Sequence, residues 1–203
     1  MNTNKWAVLL TTAVNINNDI QDIKNRKIIY SNQIGNWLTK TNMYIFVIES
    51  SGYGFPKLCH DRLIKITTKL PKMCSSSQSE AASMLYAINE MKDNEHFKNC
   101  SHILKVTGRY FLDNIENVLK NTISNLDVYL QIHKNHTIKW QNTEYYGIKK
   151  ELIEPFINTV LEIGTMEAKF YDFILSNNLT AQNIGPFKNN IRRGGDKLLI
   201  KLL

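Results

Sequence analysis

The stretch His102-Ile103-Leu104-Lys105-Val106-Thr107-Gly108-Arg109-Tyr110-Phe111 decides the fold. Ile103, Leu104 and Val106 read as a short buried strand, and Thr107-Gly108 breaks it. Arg109 then offers a planar fork of N–H donors at the tip, a shape that suits a phosphate. In open α/β sheets ligands sit at the carboxyl ends of strands, so this tip predicts a binding edge. Lys105, Thr107 and Arg109 share a parity, and a regular strand would turn them to one side.

The same strand logic extends in both directions. Trp6 to Val14 is an apolar run, as expected of a strand covered on both faces. Two threonines interrupt it and Asn-rich sequence follows, so it reads as a first strand rather than a signal peptide. Asn15 to Asn18 is a polar turn. Asp19 to Lys40 carries Ile20, Ile23, Ile34, Trp37 and Leu38 at helical spacing. Met43 to Ile48 is a second strand, ending in the loop Glu49-Ser50-Ser51-Gly52-Tyr53-Gly54. Leu63 to Thr68 is a short third strand.

Ser77-Gln78-Ser79-Glu80 fits a capping box before the apolar face Ala81, Met84, Leu85, Ile88 and Met91. Asp113-Asn114-Ile115-Glu116 opens a helix after the Ile103–Thr107 strand. Val128 to Ile132 is another strand, with a further one at Ile138 to Trp140. Leu152, Phe156 and Val160 mark a helix, with Pro155 lying in its first turn or breaking it. Met166 to Leu175 is a clearer helix. This alternation predicts an α/β single domain over 1–203, with a mostly parallel central sheet and helices on both faces. Residues 179–203 read as a C-terminal tail or lid that wraps the body, with Leu198 to Leu203 packing as its apolar end.

Composition limits the partners. With 203 residues, 43% apolar and 21% charged, the chain can bury one good core. A net charge of +7 favours an anionic partner: nucleic acid, an acidic membrane surface or a phosphate-bearing small molecule. The basic residues are dispersed, apart from Lys188, Arg192, Arg193, Lys197 and Lys201, so no continuous nucleic-acid stripe is legible. Cys59, Cys74 and Cys100 form neither a disulfide framework nor a zinc signature, which points to a reducing compartment. No run is long enough to span a membrane. There is no Gly-x-Gly-x-x-Gly after the first strand, no P-loop and no Gly-x-Ser-x-Gly elbow. His60, His96, His102, His133 and His136 lack metal-ligand spacing.

Four pieces form a set: Thr11-Thr12-Ala13 after strand one, Phe46 to Tyr53 around strand two, Ser75 to Ala81 before a helix, and Lys105-Val106-Thr107-Gly108-Arg109-Tyr110. In this order, over roughly residues 6 to 175, the chain resembles sugar-nucleotide-dependent glycosyltransferases of the GT-A type. The group in question is found in bacterial surface-polysaccharide clusters and in large DNA viruses that glycosylate their capsids. The resemblance implies a Rossmann-like GT-A fold and a nucleoside diphosphate sugar as donor, with a UDP-sugar favoured. The acceptor would be a hydroxyl of a glycan or glycoprotein, and the setting cytoplasmic (host cytoplasm if viral).

Within that resemblance, Thr11, Thr12 and Ala13 would meet the base or ribose, with Glu49 and Ser50 on the same edge. Lys105, Thr107, Gly108 and Arg109 would face the diphosphate, although Lys105 and Arg109 also suit a surface role or an ion pair with Glu49. Arg192 and Arg193 would close over the donor from the tail. Glu167 would take the acceptor's proton, with Asp172 and Glu144 in reserve. Trp140, Tyr145 and Tyr146 are either an acceptor platform or ordinary packing. One departure stands out: the family's Asp-x-Asp motif is absent, and its position reads Thr107-Gly108-Arg109. A divalent Mn or Mg ion would need other carboxylates, such as Asp113. The alternatives are a non-enzymatic basic nucleic-acid-binding domain and a nucleotidyltransferase.

Overall fold

The computed structural model describes residues 6–71, 73–131, 141–162, 164–185 and 187. His133, His136, Trp140, Arg192, Arg193, the expected strand at Ile138 to Trp140 and the expected apolar end Leu198 to Leu203 lie outside the described residues.

In chain order the elements are β1 (Trp6–Thr12), α1 (Ile20–Lys40), β2 (Tyr44–Glu49), β3 (Leu63–Thr67), α2 (Ser76–Met91), α3 (Glu95–Asn99) and β4 (His102–Thr107). They continue as α4 (Ile115–Lys120), β5 (Val128–Gln131), β6 (Tyr145–Lys149), α5 (Lys150–Glu162), α6 (Met166–Ser176) and β7 (Ala181–Ile184). Among the described residues seven strands form one sheet in the order β3-β2-β1-β4-β6-β5-β7. β3, β2, β1 and β4 are parallel neighbours, β6 runs antiparallel to both β4 and β5, and β7 is parallel to β5.

Period-two alternation builds a core on each face. Val8, Leu10, Leu104 and Val106 point toward α1, where Tyr30, Ile34, Trp37 and Leu38 cover them. Ala7, Leu9, Phe46, Ile48 and Ile103 point the other way, under Ala81, Met84 and Ile88 of α2 and Ile153, Phe156 and Phe170 of α5 and α6. Each fully buried side chain of this size contributes about 1.5–3 kcal/mol. The first turns of α1 do not share in this: Ile20 is 71% exposed, so the apolar stripe predicted from Asp19 onward begins later than its spacing suggests.

Several expected elements are corrected. β6 lies in a segment read as an aromatic cluster after the last strands. Its Tyr-Tyr-Gly-Ile-Lys run is short, and an interior glycine weakens a strand signal. Gly147 is there for clearance, because a Cβ would stand 2.8 Å from the Trp6 ring. Pro155 neither lies in the first turn of α5 nor breaks it: the helix runs unbroken from Lys150 to Glu162 with the proline in its second turn. β7 occupies the beginning of the expected tail. Tyr145 and Tyr146 are fully buried core residues, one on each face, which excludes an exposed acceptor platform. Among the described residues, no helix is long and apolar enough to cross a membrane.

Candidate active site

The carboxyl ends of β1, β2 and β4 converge at one edge. There β4 ends in a tight turn, closed by the Tyr110 amide donating to Thr107 O at 3.0 Å. Gly108 lies in that turn because nothing larger fits: a Cβ would meet Thr12 Cγ2 at 2.3 Å and Thr11 O at 3.0 Å. Its amide donates to Thr11 O at 2.8 Å and ties the tips of β1 and β4 together. Gly108 is therefore a packing requirement of the edge. Arg109 follows it with an exposed side chain. Among the described residues the guanidinium makes no hydrogen bond or ion pair, and it lies 5.8 Å from the Tyr110 ring.

Lys105 is on the same strand but only 1% exposed. Its ammonium donates to Thr143 O at 2.8 Å and to Thr107 Oγ1 at 3.4 Å, and pairs with Glu80 Oε1 at 2.8 Å. An ammonium has three donors, so all are used inside the protein. The ion-pair partner is Glu80, not Glu49. The Tyr146 ring lies beneath it, 5.8 Å from Nζ.

Glu80 reaches this position because the helix cap lies upstream of the predicted one. Ser75 is the N-cap and accepts from the Gln78 amide at 3.1 Å. Glu80 is thereby released from capping and, one turn on, leans over the sheet edge. Its Oε1 also accepts from Thr11 Oγ1 at 2.6 Å. Burial pushes the Glu80 carboxyl upward, but the Lys105 charge and hydrogen bond, then Thr11 and the field of Arg109, hold it below its ordinary value. Burial, with the Glu80 charge second, pushes the Tyr146 hydroxyl well up.

Glu49 is buried and fully committed. Its carboxylate accepts from Val14 N at 2.8 Å, Ser51 N at 3.1 Å, Ser51 Oγ at 2.6 Å and Tyr53 N. Those four donors match the acceptor sites of a carboxylate. Glu49 thus fastens the loop after β1 to the loop after β2. Ser50 donates through its amide and hydroxyl to Thr12 O. Thr12 Oγ1 donates to Ile48 O at 2.9 Å. Both threonine hydroxyl protons are therefore used within the protein, and Ala13 O receives Arg26 at 3.4 Å.

Glu167 lies in the first turn of α6, behind the N-cap Thr165, with its side chain half-buried. Its carbonyl accepts from Gln141 N at 3.2 Å. The segment 141–144 runs from there to Lys105 through Thr143 O and to Thr107 N through Glu144 O. Asp172 is exposed farther along α6, and Asp113 is half-buried before α4. Among the described residues no three His, Cys, Asp or Glu side chains gather as a metal site. The edge carboxylates explain why: Glu49 is saturated and Glu80 is paired with a lysine. A groove of about 570 Å³ lined by Lys92, Lys150 and Glu154 lies at the opposite edge, away from these groups.

No family model matches the chain, and no curated protein matches it. Solved structures do. A nucleotide-diphospho-sugar transferase from Desulfovibrio desulfuricans G20 superposes with a TM-score of 0.57 at 7% identity, over 88% of this chain and 79% of that one. A glycosyltransferase involved in glycosylation of the major capsid of PBCV-1 gives 0.56 at 7% identity, over 87% and 80%. The 4-diphosphocytidyl-2C-methyl-D-erythritol synthase from Anaerococcus prevotii DSM 20548 gives 0.56 at 8%, over 95% and 93%. The chain thus has the Rossmann-like GT-A fold that nucleotide-diphospho-sugar transferases share.

Proposed function

We propose that this protein is a glycosyltransferase that moves a sugar from a nucleoside diphosphate sugar, with UDP favoured, to a hydroxyl of a glycan or glycoprotein. One observation carries the reading: in this fold an exposed guanidinium that among the described residues has no ion-pair partner, Arg109, stands at the carboxyl end of the central strand β4. Breaking the bond from the anomeric carbon to the diphosphate builds negative charge on the leaving oxygen. Arg109 is a cationic donor for that charge. Thr11, Thr12, Ala13 and Ser50 supply the rigid strand tips against which the nucleoside lies. Glu49 shapes those tips without facing the ligand.

Glu167 is the residue assigned to the acceptor. Its carboxylate takes the hydroxyl proton as the acceptor oxygen bonds to the anomeric carbon, opposite the departing diphosphate. The result is inversion, with the proton on Glu167 and the electron pair on the nucleoside diphosphate. Lys105 acts from beneath the site, since its donors are all occupied. No step is routed through a metal ion. The dispersed basic surface gives the nucleic-acid-binding alternative no stripe to work with.

Thermal shift with UDP, GDP and CDP, each with and without manganese, tests the reading. Stabilisation by one of the diphosphates is expected. Stabilisation by an oligonucleotide alone overturns it.

A further inference from the structure

Glu49 and Glu80 both stand at this edge, and among the described residues Glu80 has an oxygen left over. All four acceptor sites of Glu49 are filled. Glu80 directs Oε1 to Thr11 and Lys105, and among the described residues its Oε2 accepts no hydrogen bond. The Glu80 side chain is 30% exposed while that of its partner Lys105 is 1% exposed. The ammonium cannot reach a ligand without abandoning three contacts; the carboxylate can reach one without abandoning any.

The pairing also fixes what kind of ligand atom Glu80 meets. An ionised carboxylate is an acceptor only. It repels phosphate oxygens, which belong to the neighbouring Arg109. The groups that accompany a diphosphate and donate hydrogen bonds are the hydroxyls of the ribose or the transferred sugar and the N–H groups of the base; the hydroxyls lie within a few bonds of the phosphates that Arg109 would hold, and the base lies beyond the ribose. We propose that Glu80 Oε2 accepts a hydrogen bond from a hydroxyl of the nucleotide sugar, which makes Glu80 a specificity-determining residue and Lys105 the positioning residue that aims it. This inference rests on the transferase reading above.

The decisive variant is Glu80→Gln. Its amide oxygen keeps Lys105 and Thr11, and its N–H₂ group takes the place of Oε2, so an acceptor becomes a donor while the shape is kept. Calorimetric titrations of wild type and variant with UDP, 2′-deoxy-UDP and UDP-glucose separate the two sources of hydroxyl. In the ribose arm, wild type prefers UDP over 2′-deoxy-UDP by roughly tenfold and the variant loses that preference. In the sugar arm, wild type prefers UDP-glucose over UDP and the variant loses that preference instead. Loss in either arm supports the inference and names the hydroxyl. A wild type with no preference in either arm, or preferences that Glu80→Gln leaves intact, overturns the inference alone. A wild type that binds neither these three nor GDP or CDP overturns the transferase reading and the inference with it; one that binds GDP or CDP alone is titrated with that base's diphosphate, 2′-deoxy diphosphate and glucose conjugate and read by the same criteria. Should Glu80→Gln fail to fold, Glu80→Asp, which draws the carboxylate back by one methylene, is read by the same criteria.

Discussion

Two lysine–carboxylate pairs stand at opposite edges of the same sheet, and they are built to different ends. At one edge Lys149 meets Asp127 Oδ1 at 2.7 Å, while Asp127 Oδ2 accepts from Thr180 N at 2.8 Å and Thr180 Oγ1 at 2.7 Å. That carboxylate clamps the ends of β5, β6 and β7, with both oxygens engaged. At the other edge Lys105 meets Glu80 at 2.8 Å, with the cation sealed and, among the described residues, one carboxylate oxygen without a hydrogen bond. The same chemistry serves as a clamp in the first case and as a fixed acceptor in the second. Substitutions at the clamp should cost stability with little effect on turnover, and substitutions facing the cleft should do the reverse.

The largest effect is expected at Glu167. Glu167→Gln should lower turnover by about 10²-fold or more, as loss of a general base does, and leave donor affinity and melting temperature nearly unchanged. Near-wild-type turnover removes Glu167 from the base role. Lys105→Met tests the mixed case, since it leaves Glu80 without its counter-charge in a half-buried place. A loss of about 3 kcal/mol in chemical denaturation is expected, together with weakened donor binding. A stable variant would show that the pair contributes little. Arg109→Ala should weaken donor binding or turnover at least about tenfold, equivalent to about 1.4 kcal/mol, with no stability cost because the side chain is exposed. Equal kinetics would break the cleft half of the comparison.

The smallest effect belongs to the clamp. The hydrogen bond from Lys149, helped by Thr180, draws the Asp127 carboxyl down from 3.8 to about 2. A depressed carboxylate contributes stability that is fully present above its unfolded value and is lost as pH falls through the folded value. Asp127→Asn should therefore cost about 1 kcal/mol near neutrality, after solvent screening, and flatten the acid limb of the stability curve between pH 3.8 and about 2. An unchanged acid limb in urea titrations would show that Asp127 is not the group titrating there.

The sheet was legible where its strands are uninterrupted and apolar. Trp6–Thr12, Tyr44–Glu49 and His102–Thr107 announce themselves because parallel strands buried on both faces carry no alternation to confuse. β6 was not legible, since it runs against its neighbours and carries Gly147 for the sake of Trp6, a reason that lies in a distant part of the chain. The edge itself was legible through Thr107-Gly108-Arg109. Its internal wiring was not. Two serine-rich frames compete for the cap of α2, and only the choice of Ser75 over Ser77 frees Glu80 for Lys105. Local spacing cannot decide between frames that a contact with β4 selects.

Glu49 has a consequence for motion. Because one carboxylate holds Val14, Ser51 and Tyr53 together, the loops after β1 and β2 form a single cooperative unit. Their amides should exchange with deuterium at one common slow rate, and Glu49→Gln should release all three at once.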